Sequence, residues 1–308
     1  MRAFLIAIAV LCVAVLALGF TGRFHGLGDS LSLLRPLVVP ALAFISLLLL
    51  IPGPRRLALA GLAVAIGGGV SLVPPSPASM LPDGTQTYAI YQKNLLFRLP
   101  DTNPVAADIL DKGVDFVALQ ELHRRNRPIL GALRETFPYQ HFCPFAAVGG
   151  IAVLSRFPAV DGKTVCAEGA GLAGMQVLTP DGPLWVVSLH LHWPYPYRQA
   201  SQVEGLLPIL SALEGPVVLG GDFNMVAWSH AVRAIARATG TEMAGFAGGT
   251  LALSYSVDGK NLIDTLPRLP IDHVLVPEGS ATVSVTRLPR LGSDHHGVLA
   301  RFAFDTDL

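Results

Sequence analysis

The chain has 308 residues, 51% of them apolar and only 14% charged, where an ordinary soluble domain is about a quarter charged. Its formal net charge is +0, and from Tyr88 onward 17 Lys and Arg stand against 20 Asp and Glu. That balance weighs against tight DNA binding, because affinity for a phosphate backbone comes largely from Lys and Arg.

The apolar excess is concentrated at the front. Between Met1 and Pro74 the charged side chains are Arg2, Arg23, Asp29, Arg35, Arg55 and Arg56, separated by Leu, Ala, Val and Ile runs. Stretches 3–20, 36–51 and 57–73 approach the roughly 20 apolar residues that cross a bilayer. Residues 1–74 are therefore read as a membrane region with about three transmembrane helices, the second extending back through residues 31–34 with Arg35 snorkelling to the interface. Arg2 and Arg55-Arg56 fall on the cytoplasmic side by the positive-inside rule, which carries everything after Val73 to the far side. A cleaved signal peptide over residues 1–20 is the alternative, and it too exports the rest. If the third span fails to insert, the domain stays inside. The Pro-rich stretch within 75–87 reads as a stiff linker, and 88–308 as one catalytic domain.

Within that domain, residues 87–96 alternate as a strand, a helix fits near 105–112, and 116–121 is a short apolar run ending in polar residues. Strands of the same kind are expected at 150–155, 184–190, 217–222 and 272–276, and helices at 126–136, 198–213 and 229–239. This alternation indicates an α/β or α+β sandwich. Of the three cysteines, Cys143 and Cys166 lie in the domain, and an exported domain invites a disulfide between them, the alternative being two buried thiols.

Asn94, Glu121, His190, Asp222, Asn224, Asp272, Asp294 and His295 all fall at or beside an expected strand end. One Asp or Asn after a strand is ordinarily a turn residue; eight polar groups at strand ends can converge on a rigid sheet edge. Carboxylate and amide oxygens are hard ligands suited to Mg2+ or Mn2+, whereas zinc sites favour His and Cys. Such an ion leaves positions for water and a substrate phosphate, and neighbouring histidines can hydrogen-bond phosphate oxygens or move a proton.

The ordered elements Gln92-Lys93-Asn94, Leu119-Gln120-Glu121, Ser188-Leu189-His190, Gly221-Asp222-Phe223-Asn224, Ile271-Asp272-His273 and Ser293-Asp294-His295 resemble those of the endonuclease/exonuclease/phosphatase superfamily, in a membrane-anchored bacterial type. The resemblance implies a four-layered α/β/β/α sandwich with two facing mixed sheets. It further implies Glu121 as principal metal ligand supported by Asn94, with Asp294 completing a metal position. Asp222 would orient and deprotonate the attacking water, and Asn224 and His190 would contact the phosphate. His295, polarised by Asp272, would stabilise charge on phosphorus or assist the leaving group. The chain would sit in the bacterial inner membrane with its catalytic domain periplasmic.

Outside the motifs, His192 is either a second phosphate contact or loop-facing, and His296 should point away from His295 in an extended segment. His123 with Arg124, Arg125 and Arg127 forms either a remote-phosphate site or a solvated loop. Trp193 and Tyr195, in the rigid run Trp193-Pro194-Tyr195-Pro196-Tyr197, are candidates for a substrate-facing wall. The expected activity is phosphodiester hydrolysis by in-line attack of water, on a phospholipid head group or nucleic acid. A non-catalytic membrane scaffold retaining the fold is the competing class. No obligate protein partner is indicated.

Overall fold

The structure is a computed structural model, and it describes residues 1–51, 53–73, 81–82, 84–252, 256–257, 260–261 and 268–304. Most of the Pro-rich linker expected within 75–87 lies outside these residues. Helices α1 (Arg2–Leu18), α2 (Gly26–Leu31), α3 (Arg35–Leu49) and α4 (Arg55–Val70) come first, with a 3-10 turn at Ser32–Leu34. The domain then runs β1 (Tyr88–Asn94), α5 (Asn103–Asp111), β2 (Phe116–Leu122), α6 (Ile129–Ala132), β3 (Tyr139–Ala146), β4 (Gly149–Ser155), β5 (Ala159–Ala167), β6 (Leu172–Thr179) and β7 (Gly182–His190). It continues with α7 (Gln199–Ser211), β8 (Val217–Asp222), α8 (His230–Thr239), β9 (Thr241–Met243), β10 (Ser256–Val257), β11 (Lys260–Asn261), β12 (Asp272–Pro277), β13 (Ala281–Arg287) and β14 (Val298–Ala303).

Two six-stranded mixed sheets, ordered β13-β14-β1-β2-β4-β3 and β5-β6-β7-β8-β12-β9, face each other. The two-residue period of a strand decides what lies between them. Tyr88, Ile90, Phe116 and Ala118 of one sheet pack against Leu184, Val186, Val218 and Val274 of the other. The alternate residues face outward: Ala89, Tyr91, Val117 and Leu119 against α5 and α6, and Val187, Leu189, Val217 and Leu219 against α7 and α8. The result is the expected α/β/β/α sandwich. Its sheets approach closely at Gly220, where a Cβ would lie 3.0 Å from Ala118 Cβ and 3.1 Å from Gln92 Cβ.

Continuing the inward face past the apolar layer gives Gln92 and Asn94 on β1, Gln120 on β2, Ser188 and His190 on β7, Asp222 on β8 and Asp272 on β12. A buried polar layer closes the core at that end: Gln92 Nε2 donates to Gln120 Oε1 and Asp272 Oδ1, each at 2.9 Å, and Gln120 Nε2 donates to Ser188 Oγ at 3.0 Å. Beyond this layer the sheet edge is rich in carboxylate, amide and imidazole side chains.

Two features differ from expectation and a third agrees with it. The helix expected at 126–136 shrinks to Ile129–Ala132, because Asn126 is withdrawn as a clasp whose Nδ2 donates to Leu96 O and Glu121 O. Cys143 and Cys166 are bonded as expected, with Cα atoms 5.4 Å apart, and tie edge strand β3 of one sheet to edge strand β5 of the other. In place of three full-length spans, one continuous helical stretch among the described residues, Gly26–Leu49, is long and apolar enough to cross a membrane, while Arg2–Leu18 has 17 residues and Arg55–Val70 has 16. Even in that stretch, residues 26–34 turn onto the domain: Trp228 Nε1 donates to Ser32 O at 2.8 Å, and both oxygens of Asp29 accept from the start of α8.

Helices α1, α3 and α4 pack antiparallel through Leu16, Leu42 and Ala65 near the domain and Ile45, Leu49 and Ala58 at the far end. Their outer faces leave Phe4, Leu11, Leu37, Phe44 and Ile66 more than 60% exposed.

Candidate active site

Parallel pairing of β7 with β8 sets His190 beside Asp222, and antiparallel pairing of β12 with β8 sets Asp272 on its other side. Asp222, 1% exposed, is the centre of the group. Its Oδ2 accepts from Asn94 Nδ2 at 2.9 Å and faces His190 Nε2 at 3.5 Å and His295 Nε2 at 3.7 Å. Its Oδ1 accepts the backbone N–H of Asn224 at 2.9 Å. That bond requires Asn224 to take φ +49, a left-handed conformation that Asn tolerates better than most residues. Asn224 Nδ2 donates to Leu191 O at 2.7 Å, tying the β8 loop to the β7 loop.

His295 Nδ1 donates to Asp272 Oδ2 at 2.8 Å. Burial alone pulls the imidazole pKa down, but the carboxylates of Asp272 and then Asp222 overcome it and raise it to about 10. Burial pushes the Asp222 carboxyl up to about 7, with the His295 charge opposing. Burial lowers His190 to about 3, and the His295 charge adds to this, so His190 is neutral; its Nδ1 is buried without a hydrogen-bond partner among the described residues. Asp222, Asp272 and His295 thus hold one charged imidazolium between two carboxylates. Their ligand atoms lie within 4.8 Å of one another, close enough to suggest a metal set, but His295 itself supplies the cation there.

A second acidic group lies alongside. Glu121 sits in a bulge of β2 at φ +58, the kind of strained position that re-aims a side chain at a functional site. Its Oε1 accepts from Asn94 Nδ2 at 3.1 Å and its Oε2 from Phe97 N at 2.7 Å. Burial raises its carboxyl above the ordinary range and the charge of Asp294 raises it further, against the pull of these two donors. Asn94 Oδ1 accepts from Leu96 N, so Asn94 presents its N–H2 between Glu121 and Asp222, where a positive centre is wanted. The carboxylate oxygens of Glu121 and Asp294 are the hard donors that Mg2+ or Mn2+ takes, and Asn94, its Oδ1 held by Leu96 N, acts as a donor that orients Glu121 rather than as an oxygen ligand.

The sequence matches the Endonuclease/Exonuclease/phosphatase family over residues 56–295. The chain belongs to that family. Solved structures share the fold: an endonuclease/exonuclease/phosphatase family protein from Leptotrichia buccalis is 15% identical with TM-score 0.54, covering 70% of this chain and 100% of that one. A truncated TDP2 from Caenorhabditis elegans is 17% identical with TM-score 0.53 (70% and 97% covered). An endonuclease/exonuclease/phosphatase from Beutenbergia cavernae is 18% identical with TM-score 0.52 (71% and 72% covered). Among curated proteins no match was found. Family membership supports phosphoester hydrolysis as the general activity.

The family motifs converge in this chain, and three side chains outside the expected site set hold them. Lys93, wholly buried on β1, donates to Pro289 O at 3.2 Å and to Arg290 O and His295 O at 2.7 Å, and burial lowers its pKa to about 8. Gln92 orients Asp272. A lysine in a strand whose residues are all buried marks the first, and the sequence showed only the charge. Ser293 is a clasp, its Oγ donating to Asn94 O and accepting His295 N. His296 points away as expected, bonded to Leu288 O and the Arg268 guanidinium.

His192 is half-buried, its ring 5.0 Å from that of Phe145, which also lies 5.1 Å from His190. Trp193 and Tyr195 stand 45% and 47% exposed beyond it. His123, Arg124 and Arg127 line a separate cleft with Phe142 and Phe145.

Proposed function

We propose that this chain is a divalent-metal-dependent phosphodiesterase whose catalytic domain is held at a membrane by its N-terminal helices and acts outside the cytoplasm. The observation that carries the reading is Asp222, a buried carboxylate with a pKa raised to about 7, set between a neutral histidine, a protonated histidine and the Glu121–Asn94 pair. A general base is most effective when its pKa lies near the working pH.

Asp222 takes the proton of the attacking water as the new O–P bond forms and the ester P–O bond breaks. His295 is kept cationic by Asp272, donates to the phosphate oxygens and can protonate the departing oxygen. His190 offers a neutral N–H donor beside them. Glu121 and Asp294 would hold the ion, with Asn94 orienting Glu121, and the ion when bound would offset phosphate charge as it develops. A phospholipid head group is the preferred substrate, supported by the outward apolar faces of α1, α3 and α4 and by the lack of a basic excess.

The test is hydrolysis of bis-p-nitrophenyl phosphate by the detergent-solubilised full chain with added Mg2+ or Mn2+, followed by phospholipid micelles and single-stranded DNA in parallel. Asp222→Asn should cut turnover by about 10²–10⁴-fold. Near-normal turnover in that variant removes the base assignment, and cleavage of DNA without phospholipid moves the substrate to nucleic acid.

A further inference from the structure

Where the N-terminal helices meet the domain, a cleft of about 550 Å³ opens between Gly19, Phe20 and Arg35 on one side and Trp228, Arg233 and Arg237 on the other. No catalytic side chain lines it. Four arginines do, Arg23, Arg35, Arg233 and Arg237, against the single carboxylate of Asp29. That carboxylate is already engaged, its oxygens accepting from His230 N at 2.6 Å and Ala231 N at 2.9 Å. His230, also in the lining, is pushed toward its neutral form by burial, with Asp29 opposing and Arg237 and Arg23 adding to the effect.

Arg35 is the informative member. It is 3% exposed, its Nη2 donates to Gly19 O at 2.7 Å, and its guanidinium lies 3.7 Å over the Phe20 ring. Among the described residues its Nε and Nη1 are buried with no hydrogen-bond partner, and the charges of Arg233 and Asp29 act on it in opposite senses. A buried guanidinium with two unused donors beside a second arginine is costly unless an anion completes it. Guanidinium forks suit phosphate oxygens.

The location selects the source of the phosphate. The cleft opens at the ends of apolar helices, beside exposed Leu18, Phe20, Leu34 and Leu37, and aromatic side chains with cationic ones are what a head-group layer recruits. We propose that this cleft binds the phosphate of an anionic membrane phospholipid through Arg23, Arg35, Arg233 and Arg237, seating the catalytic domain on the bilayer. The inference rests on the membrane reading of the helices but not on the catalytic one.

The experiment uses the full chain in neutral detergent micelles, titrated with phosphatidylglycerol, phosphatidylcholine or inorganic phosphate and followed by native mass spectrometry and thermal unfolding. Phosphatidylglycerol should bind and raise Tm, and phosphatidylcholine should bind at least about tenfold more weakly. The double variant Arg233→Gln/Arg237→Gln, both exposed positions on α8, should lose about tenfold in phosphatidylglycerol affinity while hydrolysing bis-p-nitrophenyl phosphate within about twofold of the parent. Equal binding of the two lipids, undiminished affinity in the double variant, or equally tight binding of inorganic phosphate overturns the site. Recovery of the chain in buffer without detergent overturns the membrane reading instead.

Discussion

Replacing Asp272 by Asn tests the electrostatic core of the site with little change in shape. In the parent, turnover needs Asp222 ionised and His295 protonated, so activity should rise through about 7, hold, and fall through about 10. Asp272 is the largest influence raising the His295 pKa, by its charge and by the 2.8 Å hydrogen bond. Without it, burial pulls the imidazole back toward its ordinary value of 6.5, against the remaining pull of Asp222 and Asp294. At pH 8 an imidazole of that pKa is only about 3% protonated, so turnover should fall about 30-fold, recovering in part as the pH is lowered. The acid limb should move less, because losing Asp272 lowers the Asp222 pKa while discharging His295 raises it. The assay is a pH profile of kcat/KM on bis-p-nitrophenyl phosphate at saturating Mn2+, with Tm checked on the same sample. An alkaline limb that stays at the parent position would falsify the imidazolium role of His295.

Glu121→Gln should weaken metal affinity more than it weakens chemistry, so excess Mn2+ should restore part of the lost rate; a loss indifferent to metal concentration would remove Glu121 from the ligand set. Lys93→Met strips a donor from Pro289, Arg290 and His295 carbonyls and should destabilise the domain by about 3 kcal/mol or more in denaturant unfolding. A change under about 1 kcal/mol would show that water replaces the ammonium there. Cys143→Ser/Cys166→Ser opens a cross-link of sequence separation 23 and should cost about 3 kcal/mol of stability with turnover near the parent's. Both thiols reacting with iodoacetamide before reduction would show that the bond is absent.

The strands that carry the site were legible because each ends an apolar run in polar residues. The expected 217–222 agrees with Val217–Asp222, and 184–190 and 272–276 miss by two residues or fewer at either end. Edge strands were not legible. Ala159–Ala167 is mostly half-buried or exposed and carries Asp161 and Lys163, so its composition resembles a loop and only pairing with β6 makes it a strand. The helix expected at 126–136 was overridden by tertiary demand on Asn126, which periodicity does not register. The same limit hid Lys93: the sequence marks a charge in a strand, but not the three carbonyls it serves. It also merged residues 31–34 with the second span, because Leu33 and Leu34 look alike whether they meet lipid or a domain; Leu33 packs beside α8 in the outer core of the second sheet.

That last case bears on how the N-terminal helices and the candidate site are joined. The connector between α1 and α3 does more than return the chain, since Asp29 closes the start of α8 and Ser30 Oγ donates to Tyr195 O at 3.1 Å. Helix α8 follows the loop bearing Asp222 and Asn224, and Tyr195 follows the strand bearing His190. The connector therefore clamps the two loops that leave the catalytic strands, on the side opposite the Asn94–Glu121 pair of the other sheet. A domain cut free at residue 88 keeps both sheets and every catalytic side chain but loses this clamp. The full chain should accordingly show a lower KM than the excised domain on phospholipid micelles, while the two differ little on bis-p-nitrophenyl phosphate, which needs no such framing. Equal KM on both substrates would mean that the connector holds the domain in place without shaping its site.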